Sequence, residues 1–584
     1  MLITALAEHG ATRDLPPRFY RQRSVRWAIL LNTSGRCTTG RLEDLAEATM
    51  PHGPQLPTPY IYRSGKHPAP MLAADTLYYI TAMPKDGSEK ATNDAARRNK
   101  DYIELVREWH NSAPGDQVAA AVLAFFEHGG HRRVSVPAAA EPADVAAIRV
   151  NGHWAHLVPS AQAFWAQTVR QRKTSASGAV VVCLACGQEG VTFDSLPEPI
   201  KAGAIPAASG RSRDAQLVSI NATAHGRGGK LQLAATPICE NCGAQAMAAL
   251  NALLADDQHR RRSNDGVLTW WLRKPEPLPF MRLLDSPDPA QIGELYESVH
   301  KTKAAAIIPL LDENRFYALT LGANQSRVVV RDWIDIPVPT LKKHLTAWFD
   351  DHRITDTWQD GPQLVPLWQL AAATGRWDTS TSRYMPGSAY HGIEHELLRC
   401  ALHAISPPAS LLPHLLHRIR ADNRLDLPRA ALLRLILTRH PYKEHILTDL
   451  DETSADPAYL WGRIFAVLEA IQRRALPDLS ATIRDRYFRI AMTQPLTVYP
   501  ALRAGANAHL SKLQRNKNDK AAVAAGRALE KRLAELATRL RQQPPSQLDA
   551  PGQARFTIGY DHQRAADMAA ARAHSQPPSP TTAN

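Results

Sequence analysis

Two short cysteine couplets constrain this chain more than any other feature: Cys183-Leu-Ala-Cys186-Gly187 and Cys239-Glu-Asn-Cys242-Gly243. Each is a CxxCG turn that points two sulfurs at one tetrahedral ion, and two such knuckles supply the four thiolates of a closed structural zinc site. The expectation is contact between segments separated by 52 residues, with Cys183, Cys186, Cys239 and Cys242 as ligands of one Zn2+. No open coordination position is implied, so the ion is structural and not catalytic. The competing reading is two accidental turns with buried thiols. The gap also exceeds the usual zinc-ribbon loop of about 15–20 residues.

At 584 residues the chain is too long for one core, and length alone predicts roughly three or four domains. No apolar run approaches the roughly 20 residues needed to span a bilayer. The first ten residues lack a basic segment and include Glu8, which argues against a secretory signal. Cys37 and Cys400 are isolated, and six cysteines in a chain of this size make no disulfide framework. A reducing, cytoplasmic setting and no membrane partner are expected. The net charge is +13. Residues 401–584 hold 26 Lys and Arg against 16 Asp and Glu, so +10 of it lies in the last third. Such a balance points to a polyanionic partner, usually nucleic acid. Arginines written freely onto solvated helix faces are the alternative.

The fold class expected is α+β: a mixed α/β N-terminal and middle region with a zinc-knuckle insertion, followed by an all-helical C-terminal bundle. Boundaries are placed at 1–170, 171–275, 276–391 and 392–565, with a disordered tail over 566–584. Arg18–Leu31 contains a strand ending in an apolar run, Pro51–Pro59 reads as a loop, and Tyr60–Pro68 as a strand with a basic turn. Strands are predicted at Ala179–Cys183 and Gln216–Ile220, and a hairpin from Phe316–Leu321 to Arg327–Trp333 around Gly322-Ala-Asn324. Helical spacing marks Ala244–Leu254, Ile393–Ala404, Arg429–His440, Leu460–Arg474 and Ala521–Arg541.

Beyond the cysteines the chemistry is sparse. In Ser209–Lys230 a Gly-rich basic loop would let backbone approach a phosphate, with Arg227 and Lys230 to neutralise it. The P-loop spacing is absent, and a hairpin tip is the alternative. Arg63-Ser-Gly-Lys66-His67 is a small basic cluster able to touch DNA phosphates or simply to sit in solvent. His391 and His395 lie one turn apart near Glu394, but with no HExxH and no third ligand they read as capping or core groups. There is no nucleophile elbow and no helicase-type motif, so the evidence for an active site is poor.

The order of segments resembles the large subunit of the type I-C CRISPR Cascade surveillance complex. The resemblance is carried by LPPRFYRQRSVRWAILLNTSG (Leu15–Gly35), PYIYRSGKHPAPMLAADTLYYI (Pro59–Ile80), SGRSRDAQLVSINATAHGRGGK, FYALTLGANQSRVVVRDW (Phe316–Trp333), YLWGRIFAVLEAIQRRA (Tyr459–Ala475) and FTIGYDHQR (Phe556–Arg564), in the family's order over nearly the whole chain. The family has Thr at the position of Cys186, so zinc is read from this sequence's own cysteines and not from the resemblance.

The resemblance implies a non-enzymatic protein of antiviral defence. It would recognise the protospacer-adjacent motif in duplex DNA, help unwind the duplex, stabilise the R-loop and recruit a helicase-nuclease. Its partners would be a guide-RNA ribonucleoprotein with backbone and guide-processing subunits, the target duplex and its displaced strand, and a small subunit translated from its own C-terminal region, from about the Leu460 helix onward. Candidate DNA contacts are Arg63, Lys66 and His67 in the first basic turn, and Asn221, Arg227 and Lys230 in the Gly-rich loop. Arg and Lys would position on phosphate, while Asn can read a base edge. The alternative is a zinc-stabilised general DNA-binding or scaffold protein outside CRISPR.

Overall fold

The computed structural model describes residues 1–63, 68–173, 180–206, 214–263, 266–304, 314–324, 327–515, 518–540 and 545–575, with backbone alone for 300–304, 324, 327 and 574–575. Lys66 and His67 therefore lie outside the described residues. The chain divides into two compact units. One comprises Met1–Lys274 with Asn314–Asp335, and the other Pro275–Glu313 with Ile336–Asn584.

The first unit is mixed α/β. Two apolar runs, Trp27–Leu31 and Val145–Val150, pair in parallel from Trp27 opposite Ala146 to Leu31 opposite Val150. Near-continuous apolar strands of this kind suit a sheet buried on both faces. Their parallel pairing requires a crossover, and the intervening chain includes the helices Glu89–Ser112 and Gln117–Glu127. Ser88 accepts the Ala91 N–H and Asp116 those of Val118 and Ala119, so each helix begins at a side-chain cap. Trp27, Ile29, Leu31, Trp109 and Phe125 belong to one buried cluster.

Strand Tyr20–Ser24 pairs antiparallel with Gln55–Pro59. The proline-rich segment read as a loop thus contains a strand. A two-stranded ribbon tolerates Pro57 and Pro59 because each can turn its N–H-less edge away from the ladder. A second sheet has the order Arg260–Arg262, Gly266–Leu272, Arg315–Asn324, Arg327–Pro337, so the predicted pair of strands around Gly322 is present and longer than expected. Trp333 stacks on Tyr317 at 5.7 Å and 11°. Gln216–Ile220 is not a strand: its neighbour Ala215 makes one isolated bridge, to Ile200. Leu217 and Val218 instead pack, partly buried, against the main core, which leaves their backbone outside any ladder.

The second unit is dominated by helices, with two small two-stranded pairings, Ile354–Thr355 with Pro362–Gln363 and Trp377–Asp378 with Arg383–Tyr384. The predicted helices appear as Ile393–His403, Leu427–Thr438, Pro457–Ala475 and Lys520–Leu540. Pro457–Ala475 is central and packs on Pro495–Arg515, Lys520–Leu540 and Ala550–Ser575. It starts at Asp456, whose carboxylate accepts the Tyr459 N–H, with Pro457 in the first turn, a placement where the missing proline donor costs nothing. The last helix runs to Ser575, ten residues beyond the 565 boundary read for the bundle. A mixed α+β fold with a helical C-terminal region is thus observed. No described helix is long and apolar enough to cross a membrane.

Candidate functional site

The first couplet forms the tip of a hairpin between strands Val180–Val182 and Glu189–Val191. Cys183 N–H donates to Gln188 O at 2.9 Å and Gly187 N–H to Cys183 O at 2.8 Å. Gly187 has φ +71, a left-handed conformation that glycine adopts without strain. The second couplet opens the helix Glu240–Ala255, with Cys239 as its cap. An isolated bridge between Thr192 and Cys239 sets this helix start beside the hairpin.

All four sulfurs then lie within 4.8 Å of one another, with Cys186 Sγ 4.0 Å from Cys239 Sγ. Tetrahedral zinc with Zn–S bonds of about 2.3 Å requires sulfur–sulfur edges of ~3.8 Å, so the donor set is compatible with that ion. Backbone N–H groups already address the sulfurs: Cys239 and Ala185 donate to Cys183 Sγ at 3.2 and 3.4 Å. Burial works against ionisation of Cys183, but these N–H bonds overcome it and bring the thiol down to about 7. Burial holds the Cys239 and Cys242 thiols up. A divalent cation reverses that balance by holding all four as thiolates. Among the described residues no other group of three or more His, Cys, Asp or Glu is placed to hold an ion.

The candidate nucleic-acid contacts divide. Asn221, Arg227 and Lys230 share one exposed loop built of short 3-10 turns. Gln232 N–H closes its base on Ile220 O at 2.8 Å. A Cβ at Gly226 would meet Lys230 O at 1.6 Å, so the loop folds back on itself there. Arg63, in contrast, is committed to the protein interior. It pairs with the fully buried Asp75, donates to Ala69 O at 2.8 Å, and lies over the Tyr79 ring at 4.3 Å. It ties the backbone at Ala69 to Asp75 and Tyr79.

Sequence reasoning did not find a second polar centre nearby. Arg21 is buried and pairs with Glu198 and Asp214, each at 3.3 Å, and Tyr60 Oη donates to Asp214 at 2.9 Å. Burial pushes Glu198 up to about 7 against the pull of Arg21. A cleft of about 280 Å³ adjoins this network, lined in part by Arg13, Arg18, Tyr20, Tyr60, Glu198 and Asn241. The alternation in Tyr20-Arg-Gln-Arg was its only trace in the sequence.

The sequence model of a family described as CRISPR-associated protein (Cas_Csd1) matches residues 3–568. No curated protein matches the chain.

Proposed function

The chain belongs to the Csd1 family of CRISPR-associated proteins, and from that premise we propose that it is the large subunit of a type I-C Cascade effector complex. In this reading it recognises the protospacer-adjacent motif in duplex DNA, helps open the duplex, stabilises the R-loop and recruits the helicase-nuclease. Base pairing with the guide RNA reads the rest of the target. The protein works without catalysis of its own, in the cytoplasm, alongside the guide-RNA ribonucleoprotein and a small subunit translated from its C-terminal region.

The extent of the family match carries the reading: one family accounts for residues 3–568, the mixed α/β and the helical parts alike. The exposed loop with Arg227 and Lys230 supports a phosphate contact, with Asn221 at a base edge. Lys66 and His67 are assigned to the duplex as well. Zn2+ at Cys183, Cys186, Cys239 and Cys242 fixes the hairpin to the helix beside it. The excess charge of 401–584 suits a surface that follows single-stranded phosphates.

The deciding experiment is a gel shift. The type I-C guide complex is assembled with and without this chain and offered duplex targets with and without the flanking motif. Tight binding that needs both chain and motif is expected. Equal binding without the chain, or motif-independent binding by the chain alone, overturns the proposal.

A further inference from the structure

The helical unit contains a cavity of about 560 Å³, within the range of about 300–1,000 Å³ typical of small-molecule sites. Its walls come from the segment after strand Ile354–Thr355, the cap between helices Leu411–Asp422 and Leu427–Thr438, the start of helix Ile483–Ala491, and helix Ala550–Ser575. The groups that matter are Trp358, Asn423, Arg484, Asp561 and Arg564.

Most polar groups around this cavity are already satisfied. Asp422 pairs with Arg418 and Arg429, and Asp426 accepts from Tyr384 and Arg424. Asp561 differs. It is 6% exposed, yet its carboxylate accepts no hydrogen bond among the described residues. Burial pushes the carboxyl up to about 7, helped by Asp356 and Asp426 and opposed by Arg564 and Arg484. Asn423 Oδ1 and Arg484 Nε are buried without partners. Trp358 is 69% exposed, an indole face left open on the same wall.

Leaving buried polar groups without partners is costly, so this set is poised for a ligand that satisfies both signs. A cation alone is opposed by Arg484 and Arg564, and a simple anion leaves Asp561 unanswered. A nucleotide answers all of them: a flat base for Trp358, N–H donors for the carboxylate, and a phosphate for the arginines. Among the bases, guanine alone presents two adjacent donors, N1–H and N2–H, that match the two oxygens of a carboxylate. Adenine and cytosine place an acceptor beside their amino group, and thymine flanks its single N–H with carbonyls.

We propose that this cavity is a guanine-nucleotide pocket in which Asp561 accepts from the Watson–Crick edge, Trp358 stacks on the base, and Arg484 with Arg564 holds the phosphate. The same chemistry has two sources, a free guanine nucleotide or an unstacked guanine in a single strand. The assignment stands on these side chains and is independent of the assembly role proposed above.

The test is equilibrium binding to the full chain at pH 8, where Asp561 is ionised. Probes are GMP, AMP, CMP and UMP, inorganic phosphate, and oligothymidylate carrying one central dG, dA or dC. At least a tenfold preference for the guanine member is expected in one of the two series. GMP preference identifies a free-nucleotide site, and preference confined to the oligonucleotide identifies a strand site. Asp561→Asn should remove the preference, and Trp358→Ala, at an exposed position, should weaken all bases alike. The absence of any guanine preference in both series overturns the proposal, as does a preference that survives Asp561→Asn. If Asp561→Asn fails to fold, the wild-type series and Trp358→Ala decide.

Discussion

Gly462 and Gly559 hold two helices at backbone distance from each other. A Cβ at Gly462 would sit 2.0 Å from Phe556 O, and one at Gly559 would sit 2.3 Å from Tyr459 O. The central helix Pro457–Ala475 and the last helix Ala550–Ser575 therefore meet through glycine on both sides. Around this crossing Tyr560 Oη donates to Glu469 at 2.6 Å and Arg463 Nε to Gln563 at 3.0 Å. Gly462→Ala and Gly559→Ala should each cost about 1–3 kcal/mol or more, the range for forcing extra carbon into a packed interior. A denaturant titration measures this, and an unchanged midpoint would show that the helices can separate freely.

Metal analysis of reduced, freshly purified protein should find one zinc per chain. Cys183→Ser or Cys242→Ser should lose it and lower the melting temperature, since structural zinc contributes directly to folding free energy. Zinc-free wild-type protein with an unaltered melting temperature would reduce the cysteine cluster to packed thiols.

Arg227 and Lys230 should behave differently from Arg63. If the loop touches phosphate, Arg227→Ala with Lys230→Ala should weaken DNA binding of the assembled complex and lower the slope of log affinity against log salt by about 2, near 0.9 per contact. Arg63→Ala should act on folding, by about 3–5 kcal/mol, because it leaves the buried Asp75 charge without its partner. A salt slope untouched by the loop variants would assign the loop a structural role.

Five histidines are held neutral by burial: His9, His131, His156 and His352 at about 4, and His562 at about 3. Each takes up its proton near 6.5 when unfolded. Between those values the unfolded chain binds more protons, so stability present above pH 6.5 is lost as pH falls toward 4. Glu198 and Asp561, raised to about 7, tilt the other way, losing stability as pH rises from about 4 to 7. Burial also raises Asp351, Glu444 and Asp567, but less; among the large shifts the histidines outnumber the carboxyls, so the melting temperature should fall from pH 7 to pH 5. A flat profile over that interval would contradict the buried-neutral assignment.

The helical unit was legible because its apolar residues recur at three-and-four spacing over long stretches, as in Leu460–Arg474. The cysteine cluster was legible because CxxCG specifies local geometry whatever surrounds it. Two kinds of feature were not. The strand at Gln55–Pro59 is hidden by its prolines, which one-sided pairing accommodates. The fate of Arg63 depends on Asp75 and Tyr79, and nothing in Arg-Ser-Gly-Lys-His distinguishes an arginine that faces inward from one that faces DNA. Asp561 was invisible for the same reason: a lone acid on a helix declares neither its burial nor what it lacks.

The boundary between the two units carries a genetic consequence. Pro275–Glu313 belongs with the helical unit although Asn314–Asp335 returns to the first. One cut in the reading frame therefore cannot release both units intact. A fragment begun after residue 313 forfeits helix Pro289–Ala304, which packs on Val338–His352, and one begun at residue 275 carries strands Arg315–Asn324 and Arg327–Pro337 without their partner Gly266–Leu272. Any C-terminal fragment made on its own would have to start far enough downstream to need neither, so the weave of the chain limits where it can be divided.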